Sequence, residues 1–143
     1  MRRRYARAGA VETLYQWDLM RDDPERLLTE VVARHELTAT AAGYLQRIVG
    51  TTLANREQID AMLTATLEKW KLSRLSYVDR AILRVGCCEI LFFGDVPNVV
   101  SINEAVELAK LYGDDKSPAF INGVLDAIAR HCVKPNPALS ECR

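Results

Sequence analysis

Ser76 to Phe93, SYVDRAILRVGCCEILFF, is the stretch from which the fold can be built. After its first turn nearly every position is apolar, with Arg80, Arg84 and Glu89 as the exceptions, so no side of a helix made from it can face water along its whole length. A helix of that kind belongs inside a bundle. Ser76 stands where an N-cap should, Asp79 follows three residues on to complement the helix dipole, and Gly94 with Pro97 closes the element. The other segments must wrap this one.

The remaining sequence supplies such segments. Val11, Leu14 and Trp17 start a helix that runs to about Arg21, and Asp23 with Pro24 caps a second one carrying Leu27, Leu28, Val31 and Val32 toward Glu36. Leu45, Ile48, Val49 and Leu53 follow a start at Thr38 or Thr40. Asn55 with Gln58 then reads as a capping box before Ile59, Met62, Leu63, Leu67 and Trp70, giving either two helices or one bent helix. Beyond the central stretch, Ser101 with Glu104 reads as another capping box, ahead of a face made by Ile102, Ala105, Val106, Ala109 and Tyr112 that Gly113 ends. Ser117 and Pro118 open the last helix, striped by Ile121, Val124, Leu125, Ile128 and Cys132, and Lys134 to Pro137 lead into a loose tail over 133–143. No stretch alternates with period two, so the class is all-α with about seven helices in one domain over residues 1–143.

Composition narrows the function. Apolar residues make up 49% of 143 positions, enough for a real core, and 19 basic residues cancel 19 acidic ones. With no global field, any electrostatic role must come from local clustering. Cys87, Cys88, Cys132 and Cys142 lack metal-ligand spacing and read as reduced thiols in a cytoplasm, and no apolar run reaches the roughly 20 residues of a membrane span. No phosphate-binding glycine loop, HExxH or GxSxG occurs, and neither His35 nor His131 has a neighbour that makes a triad. The expectation is a protein without catalysis, metal or cofactor.

Two local features point to a ligand instead. Arg3, Arg4 and Arg7 fall on the same side of the first helix as Val11 and Leu14, at an end where cations oppose the dipole. A solvated, frayed end and a phosphate ligand both account for them, and the second also accounts for the choice of arginine. At the last helix Phe120 lies off the apolar stripe in the first turn, where an aromatic can stack a base or pack on a neighbouring helix. Lys116 precedes the helix N-terminus, whose N–H groups suit a phosphate, and the Asn122 amide suits base edges or a helix junction.

Taken together, W70-K-L-S-R-L, V78-D-R-A-I-L-R-V, D95-V-P, S101-I-N-E-A-V-E-L-A-K and F120-I-N-G-V-L-D resemble the signature of the NusB family of bacterial transcription antitermination factors. R2-R-R-Y-A-R with L14-Y-Q-W resembles that family's arginine-rich start. The resemblance spans about residues 2 to 132, although between Pro24 and Thr66 only the helical pattern matches. It implies a fold of two three-helix bundles and a non-enzymatic role: with NusE, a ribosomal protein, binding the single-stranded boxA segment of nascent ribosomal RNA and joining other Nus factors on RNA polymerase. It implies RNA contact for Arg3, Arg4, Arg7 and Phe120, and NusE contact for Tyr15 and Asp79. Lys116 is a cation where some relatives carry an acid. A homodimer that hides the RNA surface is also known in the family. Two rivals stand beside this reading: a helical module that binds only protein, and an RNA-binding domain of the kind fused to ribosomal RNA cytosine methyltransferases, for whose catalytic domain a standalone chain of 143 residues has no room.

Overall fold

The structure, a computed structural model, describes residues 2–132; the tail expected over 133–143 lies outside the described residues. Seven α-helices and one short 3-10 turn make up the regular structure there: α1 (Arg2–Met20), α2 (Pro24–Arg34), α3 (Ala39–Ala54), α4 (Arg56–Thr66), the turn Leu72–Arg74, α5 (Tyr77–Phe92), α6 (Asn98–Tyr112) and α7 (Ser117–His131). No strand occurs among the described residues. Helices α1, α2 and α3 pack on one another, and so do α5, α6 and α7. The two bundles meet where α1 lies along α5, and α4 bridges α3, α5 and α7.

The sequence-coded caps explain most boundaries. The side chains of Asp23, Thr38 and Ser76 accept hydrogen bonds from the backbone N–H of Glu25, Ala41 and Asp79 at 3.3, 3.2 and 3.1 Å. Each satisfies a donor that the first turn would otherwise leave unpaired. Helix α1 stops at Met20 because Arg21 turns into the left-handed region at φ 54°, and Glu36 does the same after α2 at φ 49°.

Two expected capping boxes do not form. Asn55 donates its side-chain amide to the Thr51 carbonyl at 2.9 Å, so it ends α3 while its own carbonyl starts α4, and two helices result. Ser101 is not a cap at all. Pro97, with extended backbone, starts α6 four residues earlier, and the Ser101 hydroxyl turns inward to donate to Glu89 Oε1 at 2.7 Å. Inside the helix there is no unpaired N–H left for it to cap, and burial strengthens its charge-assisted bond to the carboxylate.

Helix α5 is the axis of the core, buried continuously from Arg80 to Ile90. Its polar exceptions are inside and paired. Arg80 and Arg84 both donate to Asp18 Oδ2 of α1, at 2.9 and 3.0 Å, and Arg84 also forks onto Asp60 of α4. Glu89 is the third, taken up below. Cys87 and Cys88 are buried thiols, Cys88 donating to the Ile48 carbonyl at 3.9 Å, and burial pushes the Cys87 thiol up to about 12, so it packs as a small apolar group. Tyr112, expected on the inner face of α6, is instead half-exposed at its end.

Candidate nucleic-acid interface

The first turns of α1 set Arg3, Arg4 and Arg7 against acids that lie far along the chain. Arg3 reaches Asp95 at 3.3 Å, in the loop between α5 and α6. Arg4 forks onto Glu104 of α6 with bonds of 3.0 and 2.7 Å. Arg7 donates to Glu89 Oε2 at 2.7 Å. A fourth cation joins them: Arg47 of α3 forks onto the same Asp95 at 2.7 and 3.2 Å and lies 3.8 Å from the centre of the Phe93 ring. These arginines are thus neither frayed nor unexplained, since tertiary ion pairs position them.

They are not equivalent. Arg3, Arg4 and Arg47 keep about half of their side-chain surface in solvent, whereas Arg7 is buried with 5% of its surface exposed. Burial works against the Arg7 charge, and the Glu89 carboxylate outweighs it, leaving the guanidinium firmly protonated. Glu89, 1% exposed, gathers three donors from three helices, with Tyr44 Oη of α3 also at 2.7 Å from Oε2 beside Arg7 and Ser101. Bonding to Arg47 holds the Asp95 carboxyl far below the ordinary range, and bonding to Arg4 lowers Glu104. Both acids are therefore charged near neutral pH. Four guanidiniums face three carboxylates here, and an aromatic ring, Tyr44, lies 4.3 Å from the Arg3 guanidinium. The surface keeps a positive excess and planar donors that suit phosphate oxygens.

At the second region, the start of α7, Lys116 and Asn122 are exposed, whereas Phe120 is only partly exposed and packs against the core. The N–H groups expected there for a phosphate are already engaged. Asp114 Oδ1 accepts from the backbone N–H of Lys116 at 2.8 Å and of Ser117 at 3.1 Å, so a carboxylate already meets the positive end of the helix. Ser117 donates its hydroxyl to Asp79 Oδ1 at 2.8 Å. Burial raises the Asp79 carboxyl, and the nearby Asp114 charge adds to that.

Tyr15 sits edge-on to Tyr77 with ring centres 6.3 Å apart, beside Val78 and Tyr112 in a shallow groove of about 260 Å³. Asp79 follows Val78 directly. Asp79 thus lies in the same first turn of α5 that packs on Tyr15, and through Ser117 it meets the start of α7. Sequence reasoning missed Arg47, Tyr112 and the holding acids. Glu89 left a signal as a charge inside an apolar helix, and Tyr112 as an aromatic in the last turn before Gly113; Arg47 becomes visible only once α1 packs on α3.

Comparison with known proteins fits this geometry. The family model described as the NusB family matches residues 4–130. A transcription antitermination protein NusB from Bacillus licheniformis is 44% identical over 128 residues, covering 90% of this chain and 96% of the relative. A solved structure of Thermotoga maritima NusB superposes with a TM-score of 0.84 at 39% identity, covering 90% of each chain. A chain in a crystal structure of antitermination factors NusB and NusE in complex with double-stranded RNA superposes with a TM-score of 0.85 at 34% identity, covering 91% of this chain and 97% of that one.

Proposed function

This chain belongs to the NusB family, and from that premise we propose that it is a transcription antitermination factor. With NusE it binds the boxA segment of nascent ribosomal RNA, joins other Nus factors on RNA polymerase and promotes read-through. It works in the cytoplasm without an enzymatic step of its own; no helix among the described residues is long and apolar enough to cross a membrane. The observation that carries this reading is the row of half-exposed arginines at the start of α1, held in register on a fold shared with a NusB chain solved with NusE and RNA.

In this reading Arg3 and Arg4 contact phosphates, and Arg7 contributes chiefly by fixing the helix that carries them. Lys116, Phe120 and Asn122 form the second RNA contact, with Phe120 offering the exposed part of its ring. Tyr15 and Asp79 face NusE. Because Ser117 ties Asp79 to the start of α7, the NusE side and the second RNA contact adjoin. Affinity for RNA alone is modest, since each phosphate that Arg4 takes up displaces the Glu104 carboxylate. NusE adds contacts along the same strand, so it tightens RNA binding, and RNA tightens NusE binding by the same factor.

A gel shift on boxA RNA with and without NusE tests the function. A NusE-dependent shift is expected; absence of any shift, with NusE bound, would leave a module that binds only protein. Replacing Arg3 and Arg4 by Ala should weaken RNA binding and flatten its salt dependence by about 0.7 in log K per log salt for each lost contact on a single strand. Melting should change little, because solvent screens such exposed ion pairs and they add little to stability. An unchanged slope and affinity would remove these arginines from the interface.

The second contact and the partner face are separated by another pair of variants. Phe120→Ala should cost about 1–3 kcal/mol of RNA binding if the ring stacks a base, while NusE binding without RNA stays as it was. Asp79→Ala should weaken NusE binding in a protein-only titration. A Phe120→Ala chain that only melts earlier and binds RNA normally would make the ring a packing residue.

A further inference from the structure

The motif around Trp70 has no part in the interface above, and its structure calls for one. Residues 67–71 form a loop without helix or strand, and its exposed section is Glu68, Lys69, Trp70 and Lys71. The loop is braced on both sides: Leu67 is buried, Leu72 and Leu75 pack on the core, and the Arg80 guanidinium donates to the carbonyls of Leu72 and Ser73 at 3.4 and 3.2 Å. Trp70 nevertheless leaves 58% of its surface in water. Holding so large an apolar ring out of the core on a braced loop forgoes the burial that would stabilise the fold, which marks it as an interaction site.

Beside the loop runs an open groove of about 980 Å³, closed by the end of α1, by α4 and by the start of α5. Its floor charges are matched internally, Arg80 and Arg84 against Asp18 and Asp60. The rim is different. It carries Lys69 and Lys71 against Glu68, beside an Arg21 that already reaches Asp18 at 3.5 Å, and neither lysine is in an ion pair among the described residues. A second aromatic, Tyr77, is partly exposed on the same groove. A surplus of flexible cations interleaved with aromatic faces is what a single-stranded nucleic acid needs, phosphates for the cations and bases for the rings. An acidic peptide could pair with the lysines too, but its carboxylates offer the Trp70 and Tyr77 rings nothing to stack on, whereas every base has a flat face.

We propose that the Trp70 loop and its groove are a second single-stranded RNA platform, which takes RNA flanking the boxA core. It lies at the opposite end of α1 from Arg3, about 27 Å away by the rise of the helix, so when the core is held by the arginine row and the start of α7, the strand reaches the loop through its flanking nucleotides. This proposal rests on the RNA-binding reading above, and the experiment separates the two.

The full chain is titrated with labelled RNA in two forms, a boxA core of about twelve nucleotides and the same core extended on each side by about twelve uridines, long enough for a further single-strand site. The extended RNA should bind the native chain more tightly and with a steeper salt dependence than the core. Trp70→Ala, and Lys69→Ala together with Lys71→Ala, should lose that gain, roughly five- to hundredfold for one unstacked base, while binding the core as the native chain does. With 4-thiouridine in the extension, crosslinks should map to the peptide around Trp70, also in the chain lacking Arg3 and Arg4. Lack of a gain in the native chain, a gain that survives in both variants, or displacement of oligouridine by poly-glutamate at equal charge would overturn the platform. Loss of core binding with the Trp70 crosslink intact would overturn the arginine row instead.

Discussion

Glu89→Ala should destabilise the protein by about 3–5 kcal/mol, because it removes one partner of a buried ion pair and leaves the Arg7 charge without its main acceptor. Glu89 accepts bonds of 2.7 Å from Arg7, Tyr44 and Ser101, so the same deletion strands two further polar groups from α3 and α6. That loss is a large share of the roughly 5–15 kcal/mol that holds an ordinary domain together. Urea unfolding followed by circular dichroism measures it. Glu89→Gln should cost less, since an amide oxygen still accepts one or two of the three bonds. A loss below about 1 kcal/mol for Glu89→Ala would show that the carboxylate does not anchor α1.

Ile82→Ala should cost about 2–5 kcal/mol, the range for deleting a large aliphatic side chain from a packed interior. Ile82 is fully buried on the face of α5 that the other helices surround. Leu91, one residue before the helix ends, also looks like core by composition, but it is only partly buried. Leu91→Ala should therefore cost clearly less than Ile82→Ala in the same urea titration. Equal costs at the two positions would mean that the end of α5 is as tightly enclosed as its middle.

The contrast between these residues shows what the chain discloses before it folds. Helix α5 is legible because an almost unbroken apolar run can be stable only inside a bundle, and Asp23, Thr38 and Ser76 are legible because a cap acts on N–H groups two or three residues away. Both are local physics. The start of α6 is not, since Ser101 and Glu104 have the spacing of a capping box while their partners, Glu89 and Arg4, come from other helices. The interface divides the same way. That Arg3, Arg4 and Arg7 cluster follows from helical spacing alone. That Arg7 points inward, that Arg47 joins the row, and that Asp114 already meets the start of α7 depend on tertiary packing, which spacing along one helix does not encode.

The union of α1 with α5 also sets a schedule for synthesis. Arg7 and its acceptor are 82 residues apart, and Asp18 is 62 residues from Arg80. At about 5–20 residues per second, Glu89 leaves the ribosome roughly 4–16 s after Arg7, and Ser101 later still. During that interval the first bundle can gather around α1, but its basic end has nothing to aim it. A chain halted before α5 thus carries the arginines without the carboxylates that place them, and recognition of RNA is among the last properties the growing polypeptide acquires.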